Sequence, residues 1–171
     1  MNIVNYEFKA KVDDVAALEK KLLQLNPVFK GTDHQTDTYF NAPKGRLKLR
    51  EGNIENALIS YSRQDYFDAK QSDVMLYKHT GDKALKDILL AQLGAKIIVQ
   101  KKRRIYFIDN VKFHFDDVDQ LGSFIEVEAI DMEEKFTTAE LKDLCDKYFD
   151  FFGLKKDDLV DRSYSDLLLA L

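Results

Sequence analysis

Four short stretches of the chain carry acids and bases at every second position. Asn5, Glu7, Lys9 and Lys11 alternate with Tyr6, Phe8 and Ala10. Arg46, Lys48 and Arg50 alternate with Leu47 and Leu49, and Lys112, His114 and Asp116 with Val111, Phe113 and Phe115. Glu126 and Glu128 alternate with Ile125, Val127 and Ala129. Clustered carboxylates suit a hard cation such as Mg²⁺ or Mn²⁺, bound through oxygen. Clustered Lys and Arg offer charge-assisted hydrogen bonds to phosphate oxygens, bidentate where Arg is involved. Together they describe a site for a linear polyphosphate bridged by metal. The chain has no Gly-x-x-x-x-Gly-Lys loop, so this chemistry is not that of a P-loop.

A period of two places such residues on β-strands with one apolar and one charged face. An antiparallel sheet often turns a charged face to solvent, which is the plain reading of any single strand here. Taken together the strands say more. One stretch is purely basic and another purely acidic, and like charges two apart repel unless opposite charges lie between strands. Three amphipathic helices also need an apolar sheet face to pack on. The first follows Asp13 or Asp14 with Val15, Leu18, Leu22 and Leu25 on one side. The second begins at Asp82 with Leu85, Ile88, Leu89 and Leu93 expected to be buried. The third starts at the capping-box spacing Thr137-Thr-Ala-Glu140 and carries Leu141, Leu144, Cys145, Tyr148 and Phe152. If these helices cover the outside of a curved sheet, the charged faces turn inward.

The strands expected around them run from about Asn2 to Val12, His34 to Asn41, Arg46 to Glu51, Leu58 to Asp65, Val74 to His79, Ile97 to Ile108, Val111 to Val118 and Phe124 to Ile130. Asp68 to Ser72 reads as loop, and a short helical tail begins near Ser163, where Tyr164 and Leu167 can close one end of the sheet. The connections look like hairpins, so the expected class is α+β. It is a mainly antiparallel, eight-stranded, closed or nearly closed β-barrel, a tunnel with helices packed outside. No linker or low-complexity stretch divides residues 1–171, which read as one domain.

Composition excludes several alternatives. The chain is 45% hydrophobic and 33% charged, as globular proteins are. Its net charge of −4 gives no general attraction for nucleic acid. Cys145 is the sole cysteine, which excludes an internal disulfide and a cysteine-based zinc site. With no apolar run of membrane-spanning length and no signal-peptide pattern, the expectation is a cytoplasmic protein acting on a small molecule, with neither nucleic acid nor membrane as partner.

At these residues the chain resembles the CYTH superfamily of triphosphate tunnel metalloenzymes. That group includes class IV adenylyl cyclases, thiamine triphosphatases and inorganic triphosphatases. Asn5-x-Glu7-x-Lys9 stands where the family opens with Glu-x-Glu-x-Lys. Gln35-Thr-Asp-Thr-Tyr-Phe40, Gly45-Arg-Leu-Lys-Leu-Arg-Glu51, Tyr61-Ser-Arg63 and Val99-Gln-Lys-Lys-Arg-Arg104 look like successive family strands. The stretch from Phe115 to Glu128 is similar to the family's Leu-Asp-x-Val-x-x-Leu-Gly-x-Phe-x-Glu-x-Glu.

The resemblance implies that Glu7, Glu126 and Glu128 hold Mg²⁺ or Mn²⁺, with Asp116 close by in the catalytic group. It implies that Lys9, Arg46, Lys48, Arg50, Arg63, Lys101, Arg103 and Lys112 grip a nucleoside, thiamine or inorganic triphosphate. The strand at 101–104 is basic at both parities, so Lys102 and Arg104 are the alternative inward pair. Asn5 departs from the family pattern, replacing a carboxylate with a neutral amide. His114 shares parity with Lys112 and Asp116 and can relay protons or simply hydrogen-bond. The implied activity is metal-dependent phosphotransfer or hydrolysis. Adenylyl cyclase chemistry and a non-catalytic triphosphate-binding module are the alternatives.

Overall fold

The computed structural model of the protein describes residues 4–63 and 72–171. The strands are β1 (Val4–Lys11), β2 (Val28–Phe40), β3 (Arg46–Glu51), β4 (Ala57–Arg63), β5 (Ser72–Lys78), β6 (Ala95–Ile108), β7 (Val111–Val118) and β8 (Gly122–Asp131). The helices are α1 (Val15–Leu23), α2 (Lys83–Leu93), α3 (Thr138–Phe151) and α4 (Tyr164–Leu169). The strands form one sheet in the order β1-β8-β7-β6-β2-β3-β4-β5, every neighbouring pair antiparallel. The sheet curls strongly into a half-barrel. Among the described residues β1 and β5 do not pair, so the expected tunnel is open along that edge.

Alternation decides which face is which. Tyr6, Phe8 and Ala10 of β1, Phe113 and Phe115 of β7, and Ile125, Val127 and Ala129 of β8 share the convex face. There α3 lays Leu141, Cys145, Tyr148 and the following Phe152 over them, while α1 contributes Val15 and Leu22. This apolar layer is the main core, and it fixes the register of β1, β7 and β8, because a slip of one residue would bring the charged side chains into it. The N-terminus of α3 is held by its capping box. Thr137 Oγ1 accepts from the Glu140 backbone N–H at 3.2 Å, and Glu140 Oε2 accepts from the Thr137 N–H at 2.7 Å. Gly45, at φ +61°, turns the chain from β2 into β3, and an added Cβ would lie 2.8 Å from the Tyr61 carbonyl oxygen.

Three elements depart from expectation. β2 begins at Val28 rather than His34, directly after Pro27, because its N-terminal half pairs with β6 from Phe107 back to Lys102. No residue of α2 is buried, and Ile88 is 59% exposed, so the expected burial of Leu85, Ile88, Leu89 and Leu93 does not occur. The physical reason is position. α2 sits at the end of β2, where Asn41 donates to the Leu93 carbonyl, and does not lie across the sheet. Finally, α4 packs inside the curl rather than outside. Tyr164 buries against Tyr39, Val99, Val118 and Phe124, with Leu167 and Leu168 alongside, and together they close one end of the concave face as expected of the tail. The backbone reaches that position by running beside β1, with the Val160 N–H donating to the Lys9 carbonyl at 2.8 Å. The expected end of the strand near Asp65 and the loop from Asp68 fall outside the described residues.

Candidate functional site

The concave face encloses a cavity of about 640 Å³. Asn5, Glu7 and Lys9 reach it from β1, Lys48 and Arg50 from β3, Lys101 and Arg103 from β6, Lys112 and His114 from β7, and Glu126 and Glu128 from β8. The inward pair of β6 is thus Lys101 and Arg103. Lys102 points away, and Arg104 faces α1, where its guanidinium meets Glu19 at 2.8 Å.

Register arranges the charges as a checkerboard. Lys9 stands opposite Glu126, Lys112 opposite Glu128, Arg103 opposite both Asp116 and Asp33, and Arg50 opposite Asp37. Opposite charges on neighbouring strands let basic runs survive on one strand. Two knots result. In the first, Arg103 grips Asp116 through Nε at 2.7 Å and Nη2 at 2.5 Å, and Nη2 also donates to Glu126 at 2.7 Å. The Tyr164 hydroxyl donates to Asp116 at 2.7 Å from α4. Glu126 also meets Lys9 at 3.3 Å and His114 Nδ1 at 3.1 Å. Burial works to raise the Glu126 pKa, but Lys9, Arg103 and His114 outweigh it and hold the carboxyl well below the usual range.

The second knot centres on Asp37, a fully buried carboxylate that sequence reasoning placed on a strand without assigning it a role. Arg50 donates to it through Nε and Nη2, each at 2.8 Å, and Lys101 and Lys48 approach at 2.9 and 3.1 Å. Burial would raise its pKa, yet Arg50, Lys101 and Lys48 bring it well below the usual carboxylate range. One carboxylate cannot neutralise three cations. The excess falls on Lys101, whose pKa burial pulls down to about 7 despite Asp37, with Arg50, Arg103 and Lys48 adding to the depression.

Glu55, in the loop between β3 and β4, was also missed. Its carboxylate accepts from Lys112 at 2.5 Å and Arg50 at 3.2 Å. Burial opposes its ionisation, but Lys112 and Arg50 keep it deprotonated. Asp37 could have been found, since Asp33, Gln35, Asp37 and Tyr39 follow the same period of two. Glu55 lies on a loop and follows no period.

Two residues expected at the site stand off it. Arg46 turns to the α4 end, donating to Ser163 at 2.6 Å and pairing with Asp166 at 2.9 Å. Asp116 does not line the cavity; it is buried behind Arg103 and Tyr164 and orients them. Arg63 ends β4, and its side chain lies outside the described residues.

One inward pair breaks the checkerboard. Glu7 is the cross-strand partner of Glu128, two carboxylates facing each other in register. Asn5 donates to Glu128 Oε1 at 2.7 Å from the position where the family pattern carries a further carboxylate. Among the described residues no three His, Cys, Asp or Glu side chains gather into a ready-made metal cage. An all-oxygen pair of carboxylates still fits Mg²⁺ or Mn²⁺, because such ions take one or two carboxylates and complete their shell with water and substrate phosphates.

The chain is 25% identical over 181 residues to MJ0240 of Methanocaldococcus jannaschii, covering 96% of this chain and 98% of that one. It is 26% identical over 169 residues to adenylate cyclase CyaB of Aeromonas hydrophila, covering 94% and 86%. The fold matches PH1012 of Pyrococcus horikoshii with a TM-score of 0.82 at 23% identity, covering 95% and 98% of the two chains. It also matches HpAC1 of Hippeastrum, described as having a dominant triphosphatase activity, with a TM-score of 0.69 at 13% identity, covering 99% and 96%. The CYTH domain profile matches residues 4–164. An antiparallel half-barrel with an ionic lining, matched to that profile along nearly its whole length, makes this chain a member of the CYTH domain family.

Proposed function

We propose that the protein is a metal-dependent enzyme that holds a triphosphate in its half-barrel and cleaves or transfers a phosphoryl group. The observation that carries the reading is the convergence of Lys9, Lys48, Arg50, Lys101, Arg103 and Lys112 on one cavity that also holds the facing carboxylates Glu7 and Glu128. Arg50 and Arg103 are pre-aimed by their carboxylate partners, so little side-chain freedom is lost when a polyanion arrives. Lys48, Lys101 and Lys112 add point charges along its length, stabilising charge that builds on the phosphate oxygens during transfer. Glu7 and Glu128, with Glu126 two residues along β8, are the residues that would hold Mg²⁺ or Mn²⁺. Such an ion, when bound, neutralises phosphate charge and polarises the attacked phosphorus.

Two reactions share this machinery. Water attacking the terminal phosphorus gives a triphosphatase, and a ribose hydroxyl attacking the α-phosphorus of ATP gives cyclic AMP and pyrophosphate. The relative named adenylate cyclase favours the second, and the fold neighbour described by its triphosphatase activity favours the first. Incubation with ATP, thiamine triphosphate and tripolyphosphate, with Mg²⁺ or Mn²⁺ and then with EDTA, decides between them by product. Cation-dependent release of phosphate, pyrophosphate or cyclic AMP is expected. Tight binding without any product would reduce the protein to a triphosphate-binding module, a role for which the neutral Asn5 would be the reason.

A further inference from the structure

The ionic lining covers only part of the cavity. Following the register across the concave face, Tyr39, Lys48, Ile59 and Leu76 stand side by side on β2 to β5. The adjoining row is Arg46, Tyr61 and Val74. The inward face therefore changes from basic to apolar between β3 and β4. Ile59, Tyr61, Val74 and Leu76 all line the same cavity as Lys48 and Arg50. Val74 is 37% exposed and Leu76 46% exposed, so at these two residues the wall presents apolar surface that no described residue covers. The wall is also close to the phosphate grip, because the Lys48 ammonium lies 5.9 Å from the centre of the Tyr61 ring. A phosphate held by Lys48 has whatever it is esterified to beside β4 and β5.

The chemistry of the wall distinguishes the candidate head groups. An inorganic polyphosphate would leave it wet. A cationic head group such as a thiazolium would face Lys48 and Lys78, and no described residue of β4 or β5 lining the cavity is acidic. A neutral, flat heteroaromatic group gains from both the branched aliphatic side chains and the aromatic ring. Resting on the triphosphate reading above, we propose that Ile59, Tyr61, Val74 and Leu76 form the subsite for the base of a nucleoside triphosphate. These residues set specificity for nucleotides over inorganic triphosphate.

The test uses two ligands that neither reaction can cleave, ATP with methylene groups at both bridging positions and inorganic triphosphate with the same bridges. Equilibrium binding is measured by calorimetry with Mg²⁺ for the wild type and for Val74→Ser/Leu76→Ser. The wild type is expected to bind the nucleotide about tenfold more tightly than the inorganic ligand, the scale of one stacked base. The double variant is expected to lose most of that margin and to keep its affinity for the inorganic ligand, which also reports that it folds. Equal wild-type affinities for the two ligands would overturn the subsite while leaving the phosphate grip in place, whatever the variant does. So would a variant that weakens both ligands alike or neither. Failure of the wild type to bind either ligand would overturn the triphosphate reading itself.

Discussion

Glu7 and Glu128 face each other across the β1–β8 ladder, the one like-charged pair among the inward cross-strand pairs of the described residues. Two carboxylates so placed repel each other across the ladder, beyond what Asn5 and Lys112 do for Glu128, and a cation between them would relieve that repulsion. Divalent cation should therefore raise the melting temperature of the wild-type protein, and EDTA should reverse the gain. Glu128→Gln should fold, melt at the wild-type temperature or above without cation, and lose the cation-dependent increment. Its metal-dependent turnover should fall by about 100-fold, the scale seen when one charge-stabilising group is removed. An unchanged cation response in calorimetric melts would show that this pair is not the metal site.

Asp37 gathers three cations in a buried place. Asp37→Asn takes the carboxylate partner from Lys48 and Lys101 and leaves Arg50 with Glu55 alone, and breaking such a cluster from one side is strongly destabilising, by ~3–5 kcal/mol. Because a polyanion can replace the lost charge, tripolyphosphate should restore more stability to this variant than it adds to the wild type. Urea denaturation with and without tripolyphosphate measures both quantities. Equal increments in the two proteins would mean the cations do not meet the phosphate.

Lys101 sits near neutrality because burial pulls it down to about 7. A base whose pKa is depressed on folding binds fewer protons folded than unfolded between pH 7 and its ordinary value, so the unliganded protein gains stability as pH rises through that window. Triphosphate binding reverses the preference, since the anion favours the ammonium. Binding near pH 7 should take up protons, and affinity should fall as pH rises from about 6 to 8. Calorimetry in buffers of different ionisation enthalpy reads this uptake. Lys101→Met should bind more weakly at pH 6 and lose that part of the pH dependence, whereas an unaltered profile would remove Lys101 from the grip.

Glu55 occupies the cations that a phosphate would want, taking Lys112 and Arg50 from its loop. Glu55→Gln should therefore tighten tripolyphosphate binding by about two- to fivefold, the worth of a partly exposed ion pair. Weaker binding in the variant would show instead that Glu55 holds those side chains in their working positions.

Much of this was legible in the sequence because a strand repeats every two residues. That period assigned Glu7 and Lys9, Lys48 and Arg50, and Glu126 and Glu128 to common faces, and the apolar alternates predicted the face covered by α1 and α3. What the period cannot give is depth along the strand. Arg46 and Asp116 have the right parity, yet α4 takes the first to Ser163 and Asp166, and Arg103 with Tyr164 takes the second. Nor can it give the placement of a helix. α2 has a clear apolar side that ends beside the sheet rather than upon it. The curl of the sheet was expected, but the apolar wall of β4 and β5 emerges only when the rows of paired residues are followed from strand to strand.

The most direct measurement is a crystal structure with tripolyphosphate and Mn²⁺, the ion identified by its anomalous scattering. The account predicts Mn²⁺ on Glu7 and Glu128, and phosphates on Lys48, Arg50, Lys101 and Arg103. Phosphates bound outside the half-barrel, or Mn²⁺ remote from both carboxylates, would contradict it.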